Sequence, residues 1–290
     1  MHNILPIGAA AATGFFVGAA IVATRFVIDQ TTPVPLALMR YVIGFFCLLP
    51  PLLMSKRIRF DRRDLLPIGL LGIAQFGIVV VLLNYALQVI PAARAALLFT
   101  TFPLMTMVLS AFMGYEKITL PKTAGVMLTI IGVGLALGEK VFLVENSYAT
   151  GWIGELAVLG SALSGAICSV LYKPFLKKYP TLPVSAWAML ASVIFLALFA
   201  FREGFFRAFP IFTVGGWSAI FFIGISSGIG YYLWLWALNH TTPTKVSVFL
   251  SLSPVTAMVL GALFLNEPIS LSTLSGILFV ALGLWFSSRR

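Results

Sequence analysis

PLMTMVLSAFMGYEKI, residues 103–118, and PVTAMVLGALFLNEPI, residues 254–269, decide how this chain folds. Laid one on the other, they put Pro103 on Pro254, Val108-Leu109 on Val259-Leu260, Glu116 on Glu267 and Ile118 on Ile269. The same displacement of 151 residues (103 to 254) carries outward along the chain. It brings Gly14 to Gly165, Gly77 to Gly228, Ala86-Leu87 to Ala237-Leu238, Gly125 to Gly276 and Gly132 to Gly283. Two apolar sequences share residues by chance, so no single match weighs much. Coincidence of Pro, Glu and several Gly at one ungapped offset does. The sequence reads as two related halves, residues 1–140 and 141–290.

Each half is too apolar for water. Of 290 residues, 60% are hydrophobic and 10% charged, where a soluble domain carries about 25% charged residues. A helix needs about 20 mostly apolar residues to cross the hydrocarbon core. Ten such stretches are expected, near 5–28, 35–55, 65–89, 92–114, 122–138, 151–173, 184–201, 214–238, 244–265 and 272–287. No Lys or Arg precedes the first apolar run, so a cleaved signal peptide is not expected. The fold class is an all-α integral membrane protein of ten transmembrane helices, five to each half. Five is odd, so the second half enters the membrane from the opposite side. The halves form an inverted repeat, as in many secondary transporters.

Basic residues orient the chain. With a cytoplasmic N-terminus, the inner loops and tail hold Lys56, Arg57, Arg59, Arg62, Arg63, Lys117, Lys122, Lys173, Lys177, Lys178, Lys245, Arg289 and Arg290. The outer loops hold Lys140, Arg202 and Arg207, and Arg25, Arg40 and Arg94 fall within spans. That bias puts both termini in the cytoplasm of a multi-pass inner-membrane protein. The net charge of +10 therefore reports topology and not nucleic-acid binding. Trp152, Trp187, Trp217, Trp236 and Trp285 fall near the surfaces, as belt anchors do.

Three features carry a resemblance: Leu36-Ala37-Leu38-Met39-Arg40-Tyr41 early in the second span, a Pro midway through the fourth and ninth, and the Glu closing each of those spans. With the repeat, they resemble the drug/metabolite transporter superfamily with two EamA-type domains, and within it the YddG-like exporters of aromatic amino acids and metabolites. The resemblance implies export from the cytoplasm without ATP, through a central cavity between the halves. A small-molecule substrate, an amino acid or similar metabolite, is the expected partner beside the bilayer, with the protein a monomer or homodimer.

The residues expected at that cavity are polar or aromatic groups at mid-membrane, where repeat-built transporters place their sites. They are Phe16, Gln75, Phe76, Phe99, Thr100, Thr101, Ser161, Ser164, Ser227, Tyr231, Tyr232 and Ser251. Ser226, Ser253 and Trp234 lie at similar depth. A neutral polar lining suits a zwitterion or uncharged metabolite, and aromatic walls suit an apolar side chain. Gln75 is the costliest of these to bury. Pro103 and Pro254 remove a helix hydrogen bond and free a carbonyl; with Gly77 and Gly228 they are the expected hinges. Arg94 and its mirror partner Lys245 are expected at a gate or mouth. For Arg40, pairing with backbone carbonyls is expected; three arginines, Arg25, Arg40 and Arg94, also leave open a carrier of anions such as phosphorylated sugars. Glu116 and Glu267 are expected to pin the loop after each helix.

Other chemistry is not visible. Acidic residues fall in or beside loops, with Glu155 just inside the sixth span, so proton coupling by a deep carboxyl is not evident. His2 and His240 lie at edges, away from any nucleophile, and no Gly-x-x-x-x-Gly-Lys-Ser/Thr loop occurs. No catalytic residues, cofactor or metal ligands are assigned. Cys47 and Cys168, inside apolar runs, form neither a disulfide nor a zinc site by this reading.

Overall fold

The computed structural model describes residues 4–27, 30–55, 58–89, 95, 98–142, 151–265 and 271–288. Those residues are helical wherever they are regular, with no strand among them. In chain order the helices are α1 (Ile4–Arg25), α2 (Pro33–Met54), α3 (Arg62–Gly72), α4 (Val79–Val89), α5 (Phe102–Phe112), α6 (Leu120–Phe142), α7 (Gly151–Lys178), α8 (Thr181–Arg202), α9 (Val214–His240), α10 (Pro243–Val248), α11 (Leu252–Leu265) and α12 (Leu271–Ser288). A wider π-helical turn, Ile73–Ile78, joins α3 to α4, and a tighter 3₁₀ turn, Phe249–Ser251, joins α10 to α11.

Among the described residues, seven helical segments are long and apolar enough to cross a membrane; shorter apolar helices accompany them over 102–112, 120–135 and 274–287. Large apolar side chains face outward along these rods: Phe46, Phe112, Leu198 and Leu263 are each more than 60% exposed. A surface of that kind needs lipid against it.

Local chemistry places the helix ends. Asp61 Oδ1 accepts from the Arg63 N–H at 3.3 Å ahead of α3, and Thr213 Oγ1 accepts from the Gly216 N–H at 3.0 Å ahead of α9. Such caps satisfy donors that the helix leaves unpaired. Gly114 and Gly204 adopt φ values of 73° and 80° at the ends of α5 and α8. There the chain turns back, with Tyr115 N–H bonding Ser110 O and Phe205 N–H bonding Ala200 O, as in a Schellman cap.

The expected span 92–114 is interrupted: of its described residues, 95, 98 and 99 are helical, Thr100-Thr101 form a turn, and α5 runs on from Phe102. Pro103 has no N–H for the carbonyl four residues back, so it sits in the first turn, where that loss is harmless. Pro254 stands likewise just after the 3₁₀ break. Neither proline kinks a continuous helix. Each begins a new one.

The helices meet where glycines remove side chains. A Cβ on Gly125 would lie 2.7 Å from Gly283 O, and one on Gly132 2.7 Å from Gly276 O, so α6 and α12 touch backbone to backbone. Gly44 on α2 and Gly228 on α9 pack the same way, a Gly228 Cβ falling 2.7 Å from Gly44 O. Close approach of small residues is how helices associate where lipid supplies no hydrophobic drive. The strongest pairings are α6 with α12, α1 with α9, α2 with α9 and α8, α4 with α7, and α1 with α11. Every one of these pairings joins a helix of residues 4–142 to one of 151–288.

Candidate functional site

Between α1, α2, the π turn, α4, α5, α9 and the start of α11 lies a cavity of about 350 Å³. Every irregular step in these rods faces it. The π turn supplies Gln75 and Phe76, the break before α5 supplies Thr100, and the 3₁₀ turn supplies Leu250 and Ser251. π turns inside α-helices occur frequently at functional sites. Irregular backbone is tolerated at membrane depth where it lines a cavity.

One end of the cavity is aromatic. Tyr41 and Phe76 have ring centroids 4.7 Å apart, Phe76 and Tyr231 4.1 Å, and Tyr231 and Tyr172 6.4 Å. Phe99, Phe102 and Trp234 extend the layer at 5.6 and 6.0 Å. Beyond it, toward His240 at the end of α9, Leu176, Leu235, Leu238 and Val246 are fully packed at 2% exposure or less. The layer is thus a floor. From it the cavity runs the other way, past Thr24, Arg40 and Asn84.

The polar lining is sparse and partly unpaired. Gln75 Oε1, Trp234 Nε1 and Ser251 Oγ are buried without a hydrogen-bond partner. Tyr231 and Tyr172 hydroxyls lie near each other and have no other partner. A buried polar atom left unpaired costs about 1–3 kcal/mol, and four of these groups border one space. Arg40, half-buried, is the one charged side chain among the lining residues. Its Nε–H donates to Ser227 Oγ at 2.6 Å, and that hydroxyl donates to Ile223 O at 2.5 Å. The guanidinium lies 5.5 Å from the Tyr41 ring centre. Arg40 therefore pairs with a hydroxyl and a ring, and not with the backbone carbonyls expected from the sequence.

Eight of the twelve expected binding residues border the cavity: Phe16, Gln75, Phe76, Phe99, Thr100, Ser227, Tyr231 and Ser251. Four do not. Thr101 Oγ1 folds back onto Leu98 O at 2.7 Å; Ser161 and Ser164 donate to Val79 O at 2.8 Å and Ala74 O at 3.4 Å; Tyr232 is half-buried beside the core. In each serine or threonine the hydroxyl serves the backbone instead. Pro103 and Pro254 also border the cavity, whereas Gly77 faces the Phe195 ring and Gly228 faces Gly44. Lys245 is half-buried on α10; Arg94, Glu267 and the Arg25 side chain lie outside the described residues. The sequence reading did not place Asn84 at the site and carried Arg40 there only in the alternative of an anion carrier. An ionisable group more than a turn inside a span was the available signal for Arg40.

Below the floor, polar contacts fasten the link between α9 and α10. Glu116, 9% exposed, accepts from Lys122 Nζ at 2.7 Å, Thr244 N–H at 2.9 Å and Ser110 Oγ at 3.0 Å. Burial pushes its carboxyl up, but these three donors and the lysine charge outweigh burial and hold it below the ordinary value. Lys173 Nζ donates to Thr241 O at 2.5 Å on the same link. Glu116 thus binds backbone, as expected, but 128 residues away rather than in its own loop.

Seven helical segments long and apolar enough to cross a membrane, with a part-polar cavity among broken helices, make up a polytopic membrane protein among the described residues. The chain matches the EamA-like transporter family twice, over residues 4–138 and 152–289, and it belongs to that family. An uncharacterized transporter of Archaeoglobus fulgidus is 29% identical over 97% of both chains. The uncharacterized transporter YoaV of Bacillus subtilis is 29% identical over 76% of this chain and 73% of its own. A probable terminal-alkyne amino-acid exporter of Streptantibioticus cattleyicolor is 29% identical over 79% of this chain and 74% of its own. A solved crystal structure superposes with a TM-score of 0.80 at 21% identity, over 96% of this chain and 97% of that one, a likeness of fold.

Proposed function

We propose that this protein is a secondary transporter of the inner (plasma) membrane that exports small metabolites, amino acids with apolar or aromatic side chains among them. Ten spans in two inverted halves, both termini cytoplasmic, would alternate access to the central cavity. The observation that carries this reading is the cavity itself, with its aromatic floor and unpaired buried Gln75, Trp234 and Ser251 atoms. An aromatic surface beside unpaired polar groups suits a ligand with an apolar body and a polar head. The exporter among the relatives, named for amino acids, supports the same substrate class. With the proposed topology, the floor faces the cytoplasm and the cavity runs outward, so the proline breaks before α5 and α11 are the hinges about which the floor would part. Gly77 and Gly228 would let the neighbouring helices follow, and Arg94 and Lys245 would stand at the two mouths.

Counterflow in liposomes tests this. Vesicles loaded with one unlabelled amino acid should accumulate the same labelled compound, and the uptake should saturate. Saturable exchange of sugar phosphates alone would overturn the substrate class. Flux that never saturates would make the protein a channel.

A further inference from the structure

We infer that Arg40 anchors the substrate by a carboxylate, and that the substrate's apolar part lies from there across the aromatic floor. The inference rests on the transporter reading above and names the chemical group which that site selects.

Three observations lead to it. First, an ionised side chain at this depth is expensive and is kept where it acts on something. No carboxylate answers Arg40 among the described residues; its partners are the Ser227 hydroxyl and the Tyr41 ring. Secondly, those partners aim it. Ser227 Oγ accepts the Nε–H and donates its own O–H to Ile223 O, which fixes the Nε edge of the guanidinium. The two terminal nitrogens have no hydrogen-bond partner among the described residues, and their fork matches the two oxygens of a carboxylate. Thirdly, Arg40 and Tyr41 are adjacent, and Tyr41 is already part of the floor through Phe76 at 4.7 Å. A ligand held at Arg40 therefore has its next atoms on aromatic faces. Gln75 Oε1, unpaired at the same wall, can accept from an ammonium or hydroxyl on the carbon beside the carboxylate.

Charge sets the selectivity. The lining residues carry one positive group and no acid. A monoanionic head is neutralised there, a bare amine is repelled, and a phosphate dianion finds only half its charge answered.

The test measures binding and exchange separately, on purified full-length protein. The probes are L-phenylalanine, 3-phenylpropionate (carboxylate without amine) and phenethylamine (amine without carboxylate). Binding is read from tryptophan fluorescence, since Trp234 is in the floor, and exchange from counterflow. Wild type should bind both carboxylates at least tenfold more tightly than the amine. Arg40→Gln should weaken the carboxylates by about tenfold to a hundredfold and the amine little or not at all. Arg40→Lys, which keeps the charge but not the fork, should fall between. Should Arg40→Gln fail to fold, Ser227→Ala serves instead: it keeps the cation, releases its aim, and should weaken the carboxylates alone. Equal binding of amine and carboxylate, no carboxylate binding to wild type, or a preference surviving Arg40→Gln would overturn the anchor. Saturable exchange of phenethylamine untouched by Arg40→Gln would remove the anchor and leave the carrier. Carboxylate binding that depends on Arg40, without exchange of any probe, would remove the carrier and leave the anchor.

Discussion

Glu116 is the carboxylate whose loss the structure lets one weigh. Its side chain is 2% exposed and its ion-pair partner Lys122 14%, so neither charge is well solvated. Glu116→Ala deletes the acceptor of three donors and leaves Lys122 with the Lys117 carbonyl at 3.4 Å and no counter-charge among the described residues. Breaking a buried pair by removing one partner costs about 3–5 kcal/mol. Lys122 can swing partly to solvent, so the lower end, about 3 kcal/mol, is expected. At roughly 2–4 °C per kcal/mol for a chain of this size, the apparent melting midpoint in detergent should fall by about 6–12 °C. Glu116→Gln keeps an acceptor for Thr244 and Ser110 but turns an amide toward the ammonium, and should cost about 1–2 kcal/mol, near one charge-assisted bond. Adding Lys122→Ala to Glu116→Gln should recover part of that loss, since the orphaned cation goes too. The pH dependence has a fixed sign. A carboxyl held below its ordinary value of 4.5 contributes fully above that value and loses its contribution as pH falls beneath it. The gap between wild type and Glu116→Gln should be constant from pH 8 to about pH 5.5 and shrink on further acidification. A gap that widens on acidification, or a Glu116→Ala protein as stable as wild type at pH 7, would refute the reasoning.

Gly283→Leu should separate α6 from α12, because even a Cβ there lies 2.7 Å from Gly125 O; overpacking of this kind costs about 1–3 kcal/mol and should appear as a lower melting midpoint, whereas Gly8→Ala, where a Cβ meets nothing within 4 Å, should leave it unchanged. Pro103→Ala and Pro254→Ala allow the helix hydrogen bond to re-form across each break. Counterflow should slow severalfold with binding retained, and undiminished exchange in both variants would remove the prolines as hinges. Trp234→Phe deletes a buried, unpaired Nε1–H while keeping a ring in the floor; melting should hold steady or rise, and binding of the carboxylate probes should weaken.

The architecture was more legible in the sequence than the site. Apolar runs of membrane length give helices whatever they pack against, since lipid leaves the backbone no other partner. The glycines at the 151-residue offset were visible too, but not their pairing. Gly125 matches Gly276 in sequence, yet touches Gly283, while Gly132 touches Gly276. The two contacts interchange when the halves are exchanged, which is what helices related by a two-fold axis must do. Four of the five aromatic residues expected at the cavity border it, because one wall collects them from several helices; of the six expected Ser and Thr residues, three do. Thr100 and Thr101 are neighbours in sequence, and only the backbone break decides that Thr100 borders the cavity while Thr101 caps Leu98. Arg40 was legible only as one of three arginines open to an anion, for a related reason: burial depth could be read from its position, but its partner, Ser227, is 187 residues away.

The two kinds of contact in this protein divide what can move from what cannot. Where α6 meets α12, and α2 meets α9, backbones touch through glycine with no room for a side chain or water. Parting such surfaces gives up close backbone packing along the helices, which lipid chains do not reproduce. The link between α9 and α10 is different. Glu116, Lys122, Lys173 and the Thr241 and Thr244 backbone are polar and lie at helix ends. Each of those groups can exchange its protein partner for water, so the cost of opening there is a few hydrogen bonds rather than the packing of a helix face. Just above them stands the aromatic floor, where Tyr41, Phe76 and Tyr231 come from three separate helical segments. Rings on separate segments can slide apart without breaking any helix. On the proposed transporter reading, opening on the floor side would be the cheapest large motion these contacts allow, with Pro103 of α5 and Pro254 of α11 both bordering the cavity.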